Sequence, residues 1–429
     1  MSKVKRKCIE VFADWVGLSE PTLIGFLYAT PSNRKEIFSF EYAHDWLRED
    51  QGFAIDPSLQ LYSDIQYHNG EQNNFGVFMD SSPDRWGRVL MRRREEQLAR
   101  AEGREKRTLL ESDYLLGVYD ENRMGGIRFR TSPKGPFLHG DKDYASPPWA
   151  TLHELEQASL ELEKDNSDKN PSYSKWLEML IAPGSLGGAR PKASVIDEHK
   201  HLWIAKFPSG GDTHDIGGWE MVVHKLAKLA RIDVAEAKAQ KFNSYHHTFI
   251  NRRFDRTDEG KRIHFSSAMT LLQRSDGDDA SKGASYLELA NFIKQRGAQP
   301  DTDLEQLWRR IVFYICVSNT DDHLRNHGFI LNQKGWILSP AFDINAEERR
   351  EGLKLNISET DNSQDLGLAR NVAKYFRINP ARAEQIIQEV VAVVKNWRKA
   401  AGSIGIPTKE QEHMSQAFRV AERNCDMGR

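Results

Sequence analysis

The spacing of apolar residues divides the chain into a strand-rich first part and a mainly helical second part. Ile9–Ala13 alternates apolar and polar positions and Leu23–Ala29 is a short apolar run, so both predict strands of a small sheet. Arg85 to Ala101 predicts a long charged helix. Beyond residue 285, apolar residues recur mostly at helical spacing. A strand-rich half followed by a helical half is typical of an α+β protein with two lobes.

Shorter patterns place individual polar residues on predicted elements. Two apolar stretches within 193–208 flank the polar turn 197–200, which predicts a β-hairpin. Glu220 opens the stretch 220–230, which predicts an amphipathic helix. Residues 329–338 predict a second, short hairpin.

Composition narrows the class of protein. Of 429 residues, 39% are hydrophobic and 28% are charged, which is typical of a soluble globular protein. No apolar run approaches the roughly 18 residues that a membrane span needs. The net charge of -2 argues against binding nucleic acid through the overall field. Cys8, Cys316 and Cys425 are widely scattered, which indicates a reducing, cytoplasmic compartment and neither a disulfide framework nor a zinc site.

The most informative polar group follows the apolar run 311–317. Asp321 is followed by Asn326 and then by Asp343. Protein-kinase-type phosphotransferases use an Asp, an Asn and a second Asp in this order. The first orients the attacking hydroxyl, and the other two hold Mg²⁺ on the ATP phosphates. The pattern therefore predicts a site that handles phosphate and magnesium.

Two upstream features favour phosphoryl transfer at this site. Residues 182–194 form a glycine-rich stretch whose backbone could approach phosphate closely, although it fits neither common phosphate-loop pattern and a simple turn is an equal alternative. Leu202, Ile204 and Lys206 share one face of a predicted strand. A lysine that continues an apolar face needs a partner, which nucleotide phosphates would supply, or it must extend to solvent.

Other interpretations of the same residues stay open. Asp321, His323 and Asp343 could be the ligands of a metal-dependent hydrolase, or the segment could form Asx-type turns without a metal. Lys206 and the glycine-rich stretch favour a kinase, since a hydrolase needs neither. Glu220 suits the helical glutamate that pairs with a kinase lysine, but a glutamate at a helix start is also favoured by the helix dipole.

Several motifs in order resemble those of one family over nearly the whole chain. The chain resembles the HipA-family serine/threonine kinases, the toxins of type II toxin–antitoxin pairs. The motifs that carry the resemblance are Phe78–Arg88, Leu115–Phe129, Ser185–Lys192, Lys206–Pro208, Arg253–Arg256, Asn319–Asn326 and Pro340–Asp343. The resemblance implies an α+β, bilobal protein-kinase-like fold with an extra N-terminal α/β subdomain (1–135), an N-lobe-like region (136–255) and a mainly helical C-lobe (256–429).

The resemblance also implies roles for single residues. Asp321 would be the catalytic base, and Asn326 and Asp343 would hold Mg²⁺. Glu220 would form the structural ion pair, and Ser185 would be autophosphorylated, which adds about -1.5 to -2 charge to a phosphate-binding loop and should switch the kinase off. The ATP-binding set would comprise Lys206, Gly187, Gly188, Ala189, Lys192, Arg253, Phe254, His323, Asn326 and Asp343.

Substrate and partner follow from the same resemblance. The family's partner is a small helix-turn-helix antitoxin, HipB-like, that binds operator DNA, so this chain would meet DNA only indirectly and would need no membrane. The implied substrate is a translation protein such as an aminoacyl-tRNA synthetase, whose phosphorylation leads to dormancy and persistence. Residues 262–272 and the Arg190-Pro191 pair depart from the best-known member, which leaves the protein substrate open. A small-molecule kinase of related fold, and a co-repressor without kinase activity, are the alternatives.

Overall fold

The structure is a computed structural model that describes residues 6–33, 35–48, 52–69, 72–138, 146–164, 168, 170, 172–180, 188, 190–348 and 352–423. The strands in these residues are β1 Lys7–Ala13, β2 Thr22–Ser32, β3 Lys35–Tyr42, β4 Gln66–Tyr67, β5 Ile127–Arg130, β6 Lys192–Ile196, β7 Leu202–Lys206, β8 Ala237–Gln240, β9 Thr248–Arg252, β10 Phe265–Ser267, β11 Gly328–Asn332 and β12 Gly335–Leu338.

The α-helices follow the same order along the chain. They are α1 His44–Arg48, α2 Gly76–Asp80, α3 Arg85–Ala101, α4 Glu111–Leu116, α5 Leu152–Glu163, α6 Tyr173–Leu180, α7 Ile216–Leu229, α8 Ala268–Leu271, α9 Tyr286–Arg296, α10 Pro300–Val317, α11 Leu366–Val372, α12 Pro380–Val394, α13 Trp397–Ile404, α14 Thr408–Met414 and α15 Arg419–Arg423. Within the described chain, no helix is both long enough and apolar enough to cross a bilayer.

Two compact units make up the fold. The first comprises Met1–Gly210 and Asp255–Ser275, and the second comprises Gly211–Phe254 and Asp276–Arg429. The predicted three-part division, with boundaries after residues 135 and 255, stays a prediction.

A five-stranded sheet forms the N-terminal part of the first unit, in the order β4-β3-β2-β1-β5. Neighbouring strands are antiparallel, and β1 runs beside both β2 and β5. Ile9 and Val11 on β1 and Leu27 on β2 are fully buried, as the alternation of apolar residues predicts. Further along the same unit, β6 and β7 form the predicted hairpin, with Lys192 paired to Lys206.

The second unit is built around α10, whose C-terminal half is buried on every side. A helix that is apolar all round belongs in the interior of a large core. Arg310 on α10 is 1% exposed and donates from Nη2 to the Ser339 carbonyl at 2.6 Å, while Asp303 accepts from the Leu338 N–H at 3.0 Å. These buried polar contacts tie α10 to the hairpin β11–β12.

Most predicted elements are confirmed, and two boundaries differ. Helix α7 begins at Ile216 instead of Glu220, because Asp215 caps it by accepting from the Gly218 N–H at 2.9 Å. Beyond residue 379, the apolar residues at helical spacing lie on two separate helices, α12 and α13, with a break at 395–396. Cys316 is fully buried, and burial raises the pKa of its thiol to about 12.

Candidate active site

The polar segment begins where α10 ends. Ser318 caps α10 in the left-handed conformation, at φ +53°, and its N–H donates to the Tyr314 carbonyl. Its Oγ donates to the Ala417 carbonyl at 2.7 Å. A residue without glycine's freedom adopts this conformation only when its surroundings impose it. The turn that leads into the polar segment is therefore fixed by contacts on both sides.

Two adjacent aspartates in this segment have opposite environments. Asp322 is 1% exposed and accepts from the Tyr286 hydroxyl at 2.6 Å and from His327 Nε2 at 2.7 Å. Burial, with the Asp322 carboxylate beside it, raises the pKa of Tyr286 well above its usual value. Asp321 is exposed. The segment therefore uses Asp322 to hold its shape and presents Asp321 at the surface.

Two hydrogen bonds join the regions around Asp321 and Asp343. Asn319 is 1% exposed, and its Oδ1 accepts from the Asn345 N–H at 3.0 Å. The Ser318 carbonyl accepts from the Glu347 N–H at 3.1 Å. The stretch just before Asp321 is thus bonded to the stretch just after Asp343.

Asp343 itself has an unusual backbone. Its φ is +56°, in the left-handed region that aspartate adopts much less readily than glycine. Two residues before Asp343, the Ala341 N–H donates to the Asp233 carbonyl at 2.8 Å. Seven other non-glycine residues in the described chain also have a positive φ, so the candidacy of Asp343 rests on its place in the predicted motif together with this backbone.

Asn326 has the chemistry of a metal ligand. It is 6% exposed, and its Nδ2 donates to the Asp321 carbonyl at 3.3 Å. This bond fixes the amide, and among the described residues its Oδ1 accepts no hydrogen bond. His323, three residues before Asn326, is half-buried. Its Nδ1 atom is buried, and no protein group in the described ranges bonds it.

The side chains of Asn326 and Asp343 would supply only part of the coordination shell of a Mg²⁺ ion. In the described part of the chain, no group of three or more His, Cys, Asp and Glu side chains could hold a metal. Asn326 and Asp343 would supply one amide and one carboxylate oxygen. Mg²⁺ keeps several waters and is often bound through one or two carboxylates plus substrate phosphates, so a small donor set suits it.

Arg253 and Phe254 follow β9 in the same unit. Arg253 is 3% exposed, and the ring of Phe254 lies 5.5 Å from the ring of Phe342. Phe342 directly precedes Asp343. Phe254, one of the two residues predicted to bind nucleotide here, therefore packs against the residue next to Asp343 in the chain. Glu220 is 5% exposed and lies within α7, a full turn beyond the helix start.

In the first unit, the hairpin β6–β7 brings two lysines together. Lys192 and Lys206 are direct cross-strand partners, and like charges in such a pair repel each other. The Asp84 carboxylate lies 2.7 Å from Lys192 Nζ, and both side chains are buried. Arg190 also lies at this end of the hairpin and donates to the Phe207 carbonyl at 3.2 Å. The hairpin end thus concentrates basic groups, which suits phosphate binding.

Part of the predicted glycine loop lies outside the described residues. Ser185, Gly187 and Ala189 belong to this part, so their predicted roles have no structural counterpart here. Gly188 has φ +99°, and a Cβ at this position would come within 3.0 Å of Lys192 Nζ. The positive φ therefore favours glycine at 188, whereas the contact with the end of the Lys192 side chain could be relieved by a small shift of that lysine.

The sequence interpretation missed the residues that hold the site in shape. Tyr286 and Asn345 belong to no motif, and Asp84 lies in the motif Phe78–Arg88 without a predicted role of its own. Each of the three acts on a residue far away in sequence. His327 directly follows the motif Asn319–Asn326, and its position in the sequence does not show which carboxylate it bonds. Only packing decides such pairs.

Comparison with known proteins gives the family. Residues 184–397 match the sequence model of the HipA-like C-terminal domain. A curated Haemophilus influenzae protein named "Putative kinase" is 27% identical over 205 residues, which cover 42% of this chain and 60% of that protein. This chain thus spans less than two thirds of that relative's length.

Solved structures give the fold. A chain of the Shewanella oneidensis MR-1 complex of HipA, HipB and operator DNA matches with a TM-score of 0.65 at 18% identity, over 97% of each chain. The Helicobacter pylori proinflammatory kinase CtkA matches 54% of this chain and 94% of its own at 13% identity, but a TM-score of 0.35 is too low to support an argument.

The fold is therefore the α+β fold of that Shewanella chain, and the predicted fold class is confirmed. Through its residues 184–397 the chain belongs to the HipA-like family, so the resemblance drawn from the sequence motifs is also confirmed.

Proposed function

We propose that this protein is an ATP- and Mg²⁺-dependent serine/threonine kinase. The observation that carries the proposal is the pairing of a buried Asp322 with an exposed Asp321, in a segment hydrogen-bonded to the stretch after Asp343. A rigid segment that presents one carboxylate outward suits a base that must accept a proton from a substrate hydroxyl. Family membership supports the same class of activity.

Each candidate residue then has a role in phosphoryl transfer. Asp321 orients the attacking hydroxyl and accepts its proton, and Asn326 and Asp343 hold Mg²⁺, which neutralises charge on the phosphates. Lys206 binds the ATP phosphates, and Glu220 is the helical glutamate of the kinase ion pair. The remaining ATP contacts are proposed for Gly187, Gly188, Ala189, Lys192, Arg253, Phe254 and His323.

Phosphate transfer from radiolabelled ATP tests the activity. The wild type should label protein in the presence of Mg²⁺ and should lose this activity in excess EDTA. Asp321→Ala should abolish transfer while calorimetry still detects Mg²⁺-ATP binding. Unchanged transfer by Asp321→Ala would remove the assignment of the base.

We further propose that the kinase is a toxin that inactivates itself at Ser185. A phosphate of about -1.5 to -2 charge at this position would repel ATP from a loop that binds its phosphates. Mass spectrometry after incubation with ATP should find phosphate on Ser185, and Ser185→Ala should prolong growth arrest. Ser172→Ala, an exposed serine upstream, is the matched control. Phosphate on other residues with none on Ser185 would contradict this proposal.

The proposed substrate is a cytoplasmic translation protein, such as an aminoacyl-tRNA synthetase. Phosphoproteomics of cells that express the wild type or Asp321→Ala would identify it as a serine or threonine site present only with the wild type. Transfer to metabolites with no new phosphoprotein would instead support a small-molecule kinase.

A helix-turn-helix antitoxin is the proposed partner, because the Shewanella structure of matching fold is described as a complex with HipB and operator DNA. The chain alone should not shift operator DNA in an electrophoretic assay, whereas the chain with its antitoxin should. A shift by the chain alone would contradict indirect DNA contact.

A further inference from the structure

The first turn of α7 is packed without space on two sides. A Cβ on Gly217 would overlap the His247 carbonyl oxygen, and a Cβ on Gly218 would lie 2.7 Å from Ile406 Cδ1. Two successive glycines weaken a helix, so their presence here reflects close packing. The start of α7 is thus pressed between the β9 region and the C-terminal helices of its own unit.

Polar contacts fix the same turn. Asp215 is 2% exposed, and its carboxylate accepts from the His247 N–H at 2.7 Å and from His247 Nδ1 at 2.5 Å. Burial alone would raise the pKa of Asp215, but the hydrogen bonds from His247 and Gly218 lower it. The cap of α7 is therefore a charged, hydrogen-bonded carboxylate.

Glu410, in the first turn of α14, completes this arrangement. Its Oε1 accepts from the Asp215 N–H at 3.0 Å and from Trp219 Nε1 at 2.7 Å. Trp219 is 3% exposed and packs with Trp397 and Phe418, at ring distances of 6.0 and 6.1 Å. One carboxylate oxygen from the C-terminal region thus bonds both the cap and the first turn of α7.

The residue that follows Trp219 is Glu220. A shift or rotation of the first turn of α7 would move Glu220 with it, because the two residues are consecutive in a helix. We propose that Glu410 is a positioning residue for the kinase reaction, and that the C-terminal segment from Trp397 to Arg423 braces α7 so that Glu220 stays in its working position. This inference rests on the proposed function.

Two variants of Glu410, one without the side-chain acceptor and one that keeps it, test the positioning role. In Glu410→Ala both hydrogen bonds are lost, and kcat/KM for ATP should fall about tenfold, as expected when a small misplacement affects a reacting group indirectly. Glu410→Gln keeps an acceptor oxygen and should restore most of the activity. Glu412→Ala is the control, since Glu412 is exposed on the same helix and its side chain lies 3.8 Å from Arg398.

A double-mutant cycle tests whether the effect passes through Glu220. In a Glu220→Gln background, Glu410→Ala should add little further loss of kcat/KM, because coupled residues are not additive. Full additivity, or a Glu410→Ala enzyme as active as Glu412→Ala, would overturn the proposal. So would a Gln variant as impaired as the Ala variant.

Hydrogen exchange provides a measurement that needs no kinase activity. The amides of the first turns of α7 should exchange about tenfold faster in Glu410→Ala than in Glu412→Ala, as expected when a hydrogen bond to a charged group is lost. Unchanged exchange would show that no brace exists. If the wild type transfers no phosphate at all, the proposed function fails, and the exchange result still decides whether Glu410 holds α7.

Discussion

Each compact unit contains a buried polar network, and the two differ in where their hydrogen bonds end. In the first unit, Arg123, Arg256 and Arg262 are buried and donate mainly to backbone carbonyl oxygens. Asp255 is fully buried and accepts from the Gly125 N–H at 2.8 Å and from Arg256 at 2.6 Å. These bonds connect one part of the backbone to another and stabilise the loops they join.

The second network stabilises a segment that faces outward. Tyr286 and His327 both bond Asp322 in the interior, while the neighbouring Asp321 is exposed. Buried polarity by itself therefore does not identify a site, since both units have it. The distinguishing feature is a rigid polar interior that carries a carboxylate to the surface.

Replacement of the outward carboxylate should give the largest effect. Asp321→Asn keeps the size of the side chain but removes the proposed base, so kcat should fall by about 10³-fold. The free energy of unfolding should change by less than about 0.5 kcal/mol, because Asp321 is exposed. Steady-state kinetics and urea denaturation check the two parts. A large loss of stability would place Asp321 with the structural residues instead.

Replacement of its buried neighbour should have the opposite signature. Asp322→Ala leaves the Tyr286 hydroxyl and His327 Nε2 without their acceptor in the interior, which should lower the free energy of unfolding by about 4 kcal/mol. Urea denaturation of this variant beside Asp321→Ala is the direct test. Equal free energies of unfolding for Asp322→Ala and Asp321→Ala would contradict the assignment of a structural role to Asp322 and a surface role to Asp321.

The network of the first unit should affect stability alone. Arg256 donates to the carbonyls of Glu121 and Arg123, both at 2.9 Å, and its removal leaves the buried Arg123 carbonyl and the buried Asp255 carboxylate without this donor. Arg256→Ala should lower the free energy of unfolding by about 3 kcal/mol. Lys261→Ala, at an exposed residue of the same unit, should leave it unchanged. A destabilisation no larger than that of Lys261→Ala would refute the structural role.

The smallest expected effect is the pH dependence that Asp80, in the first unit, gives to the free energy of unfolding. Burial raises the pKa of Asp80 to about 6, against hydrogen bonds from Ser267 that lower it. The folded state thus holds this proton more tightly than the unfolded state, so its contribution to stability should decrease by about 2 kcal/mol as the pH rises from about 4 to above 6. Asp80→Asn should remove this dependence, whereas Asp258→Asn should not. Urea denaturation across this range is the measurement, and identical pH profiles for wild type and Asp80→Asn would contradict it.

Much of the local structure was predictable because local rules decide it. The hairpin β6–β7 and helices α3, α9 and α10 follow from apolar spacing and turn residues. The start of α7 was missed because successive glycines argue against a helix by propensity. Their close packing against the His247 backbone and Ile406 outweighs that propensity here.

For the candidate site, too, some features could be predicted from the sequence and others could not. The order of Asp321, Asn326 and Asp343 along the chain was enough to predict phosphate and magnesium chemistry, since that chemistry requires these residue types. The motif order selected Asp321, but the sequence could not show that its neighbour Asp322 would be the buried one, because adjacent aspartates have the same local properties. Tyr286, which is distant in the sequence, and His327, which is near, both bond Asp322, and the fold decides that Asp322 is the buried one.

The sequence by itself determined the secondary structure, the family resemblance and the residue types available for catalysis, because these depend on neighbours along the chain. The tertiary structure alone decided which charges are internal. Asp84 partners Lys192, Asn345 bonds Asn319 beside Asp321, and Glu410 holds the start of α7. Such pairs form only when folding brings distant residues within hydrogen-bonding distance, and burial then makes each of them specific.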